Sequence, residues 1–507
     1  MKNSKLVKCI ALAIVISMMA ALLFSCAGTN TTDTTATTNS NENDSSGSGE
    51  GGDTESATED PNARPQYDLP VQDFGGTEFK FISRSYASNA HWWNLDIAVE
   101  EENGDAINDA VYTRNKIIEE KYNVTITNVH SDNVQSDTSK TVKAGDPAYD
   151  VVVVGLNGGQ EALSTQGMLY DLKTMPHIDL TKPWWDQRAI EELPINARLF
   201  ATSSDLTIRD KDATIIFMFS KKLLQDHGLE DVYQLVLSGK WTFDKMHEMM
   251  KATAKDLNGD GVINDEDVIG LLTQQGHASA LFNGAGEYMA KIDADGVPQV
   301  TMFSERAVQI CEKIREIQGN KDLSINADEY GGKYADVWDG FQVPMFADDR
   351  ALFYHAGMNR VTLLRTMETD FGIIPPPKYD EAQDKYYVWV DSWCTSAVSV
   401  PITSDPERVG LLLEALTYES RYTLLPAYYD INLKTKFARD DESKEMIDII
   451  LDNRLYDLGA MYGWGNMRGL FTNLSQGKDE LVTWYDKNAT RIETAMQKTI
   501  DQLDAVE

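Results

Sequence analysis

The chain has 507 residues, with 80 Asp and Glu against 46 Lys and Arg and a formal net charge of −34. So acidic a chain is a poor partner for nucleic acid or an anionic membrane surface, because phosphate binding needs basic patches; the charge mostly serves solubility. Its length exceeds what one hydrophobic core usually fills, so two lobes are the default.

The N-terminus sets the compartment. Lys2, Lys5 and Lys8 precede an apolar run from Cys9 to Phe24, followed by Ser25 and Cys26. A basic start, a short apolar core and a small residue at the cut describe a secretory signal peptide over 1–25. The run is short for a spanning helix, which needs roughly 20 apolar residues. Leu23-Phe24-Ser25-Cys26 resembles the lipobox of bacterial lipoproteins, with Phe24 bulkier than the usual occupant of its slot. The resemblance implies that Cys26 becomes the acylated (palmitate-type) first residue of an extracytoplasmic, membrane-anchored lipoprotein. From Ala27 to Gln66 there is no large apolar residue, so residues 26–74 read as a disordered tether. Forty flexible residues reach roughly 35 Å on average. With Cys9 in the signal and Cys26 acylated, Cys311 and Cys394 remain, expected as two buried thiols rather than a disulfide.

The body then alternates. Phe79–Ser83 reads as a strand, 105–122 as a helix with Ile107, Ala110, Val111, Ile117 and Ile118 at helical spacing, and Val124–Ile126 as a strand. Tyr149–Gly155 carries four valines in a row, the pattern of a parallel strand covered on both faces. This order predicts an α/β fold with open, mostly parallel sheets and flanking helices. A second region begins with the strand Ile215–Ser220 and a helix from Lys221 to His227. Another helix runs to about Lys255, with Thr242 as its N-cap. Asp293-Ala294-Asp295-Gly296 signals a hairpin, and Glu305–Gln318 a helix with Ala307, Ile310, Cys311, Ile314 and Ile317 on one face. Ala351–Tyr354 and Phe371–Pro375 read as strands, Val388–Val400 as one long extended run, and about Asp479–Leu503 as the last helix.

Several segments in this order resemble the extracellular solute-binding proteins of bacterial ABC importers, of the maltose and oligosaccharide type. They are Ile117–Val124, Tyr149–Val152, Phe217–Leu224, Trp241–Lys245 and the loop Asp256–Gly261. The resemblance covers roughly 77–503. It implies a two-lobe periplasmic-binding-protein type II-like fold, with ligand between the lobes and closure read by an ABC permease. The lobes are expected as 75–200 with about 346–390, and 201–345 with about 391–507, with hinges near 198–209 and 388–400. The function expected is capture of a small solute, an oligosaccharide first, by a monomeric, non-enzymatic receptor. A glycan-active hydrolase, or a surface adhesin or structural lipoprotein, is the alternative: no nucleophile elbow, zinc-helix motif or phosphate loop is present, but two carboxylates suffice for glycoside hydrolysis.

Sugars offer apolar C–H faces ringed by hydroxyls, so a site for them needs flat aromatics and planar polar groups. Trp92 and Trp93 follow the first strand, where ligands of open α/β sheets bind; Asn157 follows the valine strand. Trp184 and Trp185 precede the first expected hinge. Trp389, Asp391 and Trp393 alternate, which in a strand places all three on one face. Trp464 stands between two glycines. These nine residues are the ligand candidates.

Residues 256–267 read DLNGDGVINDED. Against a calcium loop, Asp256, Asn258 and Asp260 take positions 1, 3 and 5, Gly261 the turn, Val262 the carbonyl, Asn264 position 9, and Asp267 stands where Glu is usual. Two readings stay open: a structural calcium site far from the cleft, or a solvated Asp/Asn/Gly turn.

Overall fold

The computed structural model describes residues 64–434 and 441–506. The signal peptide, Cys26 and the tether up to Ala63 lie outside the described residues. Among those described, no helix is long and apolar enough to cross a membrane.

Among the described residues thirteen strands form the framework: β1 (Thr77–Arg84), β2 (Val124–Ser131), β3 (Val151–Val154), β4 (Ile215–Ser220), β5 (Ile269–Thr273), β6 (Ala290–Ile292), β7 (Pro298–Val300), β8 (Ser324–Asn326), β9 (Ala351–Gly357), β10 (Phe371–Ile374), β11 (Val388–Trp389), β12 (Ala397–Ser399) and β13 (Arg454–Leu455). Two sheets define two lobes. The first has the order β12-β3-β1-β2, parallel except where β12 joins β3. The second has the order β10-β4-β9-β5-β8. Its β9-β5 and β5-β8 pairs are parallel, but β10-β4 and β4-β9 are antiparallel, so this sheet is mixed rather than mostly parallel.

The central strands β3, β4, β5 and β9 are buried on both faces, which is why they are mostly apolar, whereas β1 and the edge strand β2 carry polar residues at most of their exposed positions. Phe79, Phe81, Val151 and Val153 turn to one core with Val409, Leu412 and Leu416 of the helix Pro406–Tyr422, while Ile82, Val152 and Val154 turn to the other face. In β4, Phe217 and Phe219 pack with Trp241 and Phe353, and Ile216 and Met218 pack on the opposite face with Tyr354 and Phe371. Capping matches the residues present. Asp105 accepts N–H bonds from Ile107 and Asn108 to start Ala106–Tyr122, and Thr242 accepts from Lys245 to start Phe243–Thr253. The helix Glu305–Gln318 and the β6–β7 hairpin stand where expected.

The expected lobe boundaries need correction. Residues 346–390 do not join the first lobe: β9 and β10 pair with β4. Nor does all of 391–507 join the second, since β12 lies on β3 and the helix Pro406–Tyr422 covers the first sheet. Strands buried on both faces carry no mark of which sheet they enter. The tether also ends earlier than residue 74. Tyr67, Leu69 and Phe74 pack on the first core, Tyr67 donates to Glu414 at 3.0 Å, and Arg64 pairs with Glu419. The run Val388–Val400 is not one strand. The chain turns at 392–394, where the Asp391 carboxylate accepts the N–H groups of Trp393 and Cys394 at 2.8 and 3.3 Å.

Between the sheets the segments around 202–214 and 390–398 run side by side. Thr202 bridges Val398, Thr214 bridges Val390, and Asp391 N–H donates to the Ala213 carbonyl at 2.9 Å.

Candidate functional site

The carboxyl ends of β1, β5 and β9 point to the space between the sheets, where a cavity of roughly 350 Å³ opens. Its walls come from three parts of the chain. The first lobe supplies Asn89, His91 and Trp92 from the loop after β1. The second supplies Gln274, Gln275 and His277 after β5, Asp328 and Trp338 after β8, and Gly357, Asn359 and Arg360 around the end of β9. The crossing segment supplies Asp391, Trp393 and Cys394. A second chamber of roughly 600 Å³ adjoins it, lined among others by Trp93, His130, Arg209, Arg365 and Tyr428, and it shares His91, Asn359 and Arg360 with the first.

Three indoles meet the first chamber. Trp393 is 42% exposed and Trp338 37%, whereas Trp92 is nearly buried. The Trp393 ring is held from behind. Arg84 donates to the carbonyls of Trp393, Cys394 and Thr395 at 2.9, 3.0 and 2.6 Å, and its guanidinium lies 5.6 Å from the indole centroid. Burial pushes the Arg84 pKa down to about 10, so it stays charged at neutral pH. Gly357 lies against the Trp92 ring and leaves no room for a side chain, which would come within 2.9 Å of Asn359 Oδ1 and 3.0 Å of the Asp212 carbonyl.

The polar groups are tuned by burial. His277 is pushed down to about 4, chiefly by burial. Neutral, its Nδ1–H donates to the His355 carbonyl at 2.9 Å, which leaves Nε2 as an acceptor. The Asp391 carboxyl is pushed up by burial, opposed by the two N–H groups of its turn. Such a wall offers flat apolar faces, one neutral imidazole acceptor, and amide and carboxylate groups.

Of the expected ligand residues, Trp92, Asp391 and Trp393 come together here, and Trp93 lines the second chamber. The others do structural work. Trp184 and Trp185 are buried in the first lobe and both donate to Glu414, at 2.9 and 2.8 Å. Asn157 is committed on both ends of its amide, to the Met461 carbonyl at 2.5 Å and Arg468 at 2.7 Å. Trp389 is buried in β11, and the turn after Asp391 destroys the alternation that was to align it with Trp393. Trp464 is buried, stacked on Tyr462 and bonded to Thr499 at 2.9 Å. Sequence reasoning missed Trp338, His277, Gln274, Gln275, Asn359 and Arg360. Trp338, beside two aspartates and a glycine, carried the same loop-tryptophan signal as Trp464.

The 256–267 loop enters β5 at the end away from the cleft. Asp256 accepts the N–H groups of Gly259 and Gly261 at 2.6 and 2.8 Å, and Asp267 those of Leu257 and Asn264 at 2.9 Å each. Asn258 donates to Asp260 and Asn264 to the Val262 carbonyl, both at 3.2 Å. Among the described residues, the one group of three acid or imidazole atoms within 4.8 Å of each other is His91, Asp336 and Asp339. The loop is thus held by its own carboxylates on its own backbone N–H groups, and among the described residues Asp256, Asp260 and Asp267 do not converge. Cys311 and Cys394 are both free thiols, Cys311 buried and Cys394 half-buried.

Two α/β lobes with a cleft beyond the carboxyl ends of their strands define a two-lobe receptor. Residues 115–417 match the family described as bacterial extracellular solute-binding protein, more than half of the chain, and the protein belongs to that family. Among solved structures it is similar to an ABC substrate-binding protein from Listeria monocytogenes in complex with cycloalternan (11% identity, 85% of this chain and 98% of that one, TM-score 0.51). It is also similar to a cyclo/maltodextrin-binding protein complexed with maltotetraose (14%, 84% and 96%, TM-score 0.51). A third is a maltose/maltodextrin-binding domain from Bdellovibrio bacteriovorus bound to maltotriose (11%, 84% and 98%, TM-score 0.50). These likenesses show the fold. No curated protein sequence matches the chain.

Proposed function

We propose that this protein captures an oligosaccharide in the interlobe cleft and delivers it, without chemical change, to an ABC permease. The carrying observation is that Trp92, Trp338 and Trp393, from three separate parts of the chain, line one chamber beside polar groups. The ligands named for the similar structures, all oligosaccharides, support the class. Family and fold offer nothing in favour of a hydrolase or an adhesin. The lipobox at Leu23–Cys26 supports an extracytoplasmic chain anchored by acyl chains, each buried CH₂ contributing ~0.8 kcal/mol; the receptor acts as a monomer.

Calorimetry with a panel of glycans and peptides tests this. Tight reversible binding of a glycan with no cleavage is the expected result. Trp393→Ala and Trp338→Ala should each weaken it by about 5- to 30-fold, from ~1–2 kcal/mol of lost ring burial. Peptide binding with no glycan binding, or appearance of shortened glycans, would overturn the proposal.

A further inference from the structure

A contact between the lobes lies where the two chambers adjoin. His91 belongs to the loop after β1 in the first lobe; Asp336, Trp338 and Asp339 lie between β8 and β9 in the second. His91 Nδ1 stands 3.1 Å from Asp339 Oδ2, and its Nε2 is 3.8 Å from Asp336 Oδ2. The Trp338 ring meets the imidazole edge-on, with centroids 5.3 Å apart. Arg360, buried at the end of β9, pairs with the other oxygen of Asp339.

Both halves are braced before they meet. Asn89 Oδ1 accepts the N–H groups of His91 and Trp92 at 3.0 Å each, fixing the loop. Asp336 Oδ1 accepts the N–H groups of Trp338 and Asp339 at 2.9 and 3.1 Å, fixing the facing turn. Each side is thus held by its own local bonds, and the pairing of His91 with Asp339 joins one lobe to the other. His91 and Arg360 line both chambers, as does Asn359, so this contact lies where the two adjoin.

We propose that His91, Asp339, Asp336 and Trp338 form an interlobe latch that favours the closed arrangement independently of solute. It must part before a solute reaches the chamber of Trp338 and Trp393. The gating role rests on the cleft being the solute site; the latch itself does not. A contact between two braced surfaces adds to closure without a ligand, because it differs between the open and closed states.

The test uses the solute-free protein, with lobe separation read by small-angle scattering and by a spin-label distance across the cleft. His91→Ala should shift the open-to-closed ratio about tenfold toward open and enlarge the radius of gyration. His91→Gln, which keeps a donor for Asp339, should recover most of the closed population. Trp338→Ala added to His91→Ala should open the cleft less than the sum of the single effects. Circular dichroism and melting establish that each variant is folded. An unchanged separation in a folded His91→Ala protein would overturn the latch. So would closure that disappears in the wild type on adding a chelator, since the three groups would then be holding a divalent cation rather than one another. If His91→Ala opens the cleft yet no variant binds a glycan, the latch stands and the sugar reading falls.

Discussion

Replacing Lys211 with Met tests whether the crossing between lobes is held by buried charge. Lys211 is 4% exposed, and its ammonium lies 3.1 Å from both Asp205 and Asp210. Burial alone would depress its pKa, but Asp210 and Asp205 outweigh burial and hold it above the usual lysine value, so it is charged at every workable pH. Around it Asp186, Asp205, Asp210 and Asp212 face Arg209, Lys211, Arg421 and Arg454, so the cluster is balanced in sign. Methionine keeps most of the stem volume and deletes the charge. Asp205 then retains Arg421 at 3.0 Å and Asp210 retains Arg454 at 2.7 Å. Breaking a buried pair costs ~3–5 kcal/mol, and with each carboxylate keeping one partner the expected cost is about 3 kcal/mol. At ~2.1 cal/mol/K of unfolding entropy per residue over some 440 residues, that lowers Tm by about 3 °C. Urea unfolding and calorimetry of wild type, Lys211→Met, Arg454→Met and the double variant measure the loss and its non-additivity. A loss below about 1 kcal/mol, or a difference erased by 1 M salt, would show a hydrated, screened cluster and refute the reasoning.

The pH dependence of stability has two opposed parts. His277, held at about 4 against ~6.5 unfolded, leaves the unfolded state binding more protons, so its share of stability is lost as pH falls from 6.5 to 4, up to about 3 kcal/mol. Glu192, pushed up to about 7 by burial, acts oppositely: its share is lost as pH rises from about 4.3 to 7. Relative to wild type, His277→Gln should therefore flatten the acid loss and Glu192→Gln should steepen it, read as Tm from pH 4 to 7.5. Trp185→Phe, which deprives Glu414 of a donor, should lower Tm and leave glycan affinity unchanged, whereas Trp393→Phe should do the reverse. For the 256–267 loop calcium is proposed as an occupant that draws the carboxylates inward; a ligand at 100 times its Kd adds ~2.7 kcal/mol. Millimolar calcium should then raise Tm in wild type and not in Asp256→Ala, and an unchanged wild-type Tm ends the proposal.

What the sequence disclosed followed local physics. The valine run of β3, the N-caps Asp105 and Thr242, the stripe of Glu305–Gln318 and the hairpin turn at 293–296 each depend on neighbours within a few residues. Sheet membership did not, because β9 is buried along its whole length and joins β4 across the 130 or so residues between them. The site was half legible for the same reason. Trp92 stood out as a tryptophan beyond a strand end and Trp393 as a member of an alternating run, but nothing local separates them from Trp184 and Trp185, whose indole N–H groups are met by a glutamate some 230 positions away. The alternation of Trp389, Asp391 and Trp393 misled because Asp391 can turn the backbone as readily as it can face a ligand.

That glutamate has a mechanical consequence. Glu414 accepts from Tyr67 as well as from Trp184 and Trp185, and Arg64 pairs with Glu419 further along the same helix. The chain entering at Arg64 is thereby bolted to the rear of the first lobe, on a helix that packs against the first sheet. A pull arriving from the N-terminal side would therefore load the first lobe before the second. With the proposed lipid anchor in place, this fastening would make the first lobe the moored half and the second lobe the swinging half, so the surface that greets a membrane partner would have to tolerate travel on one side only.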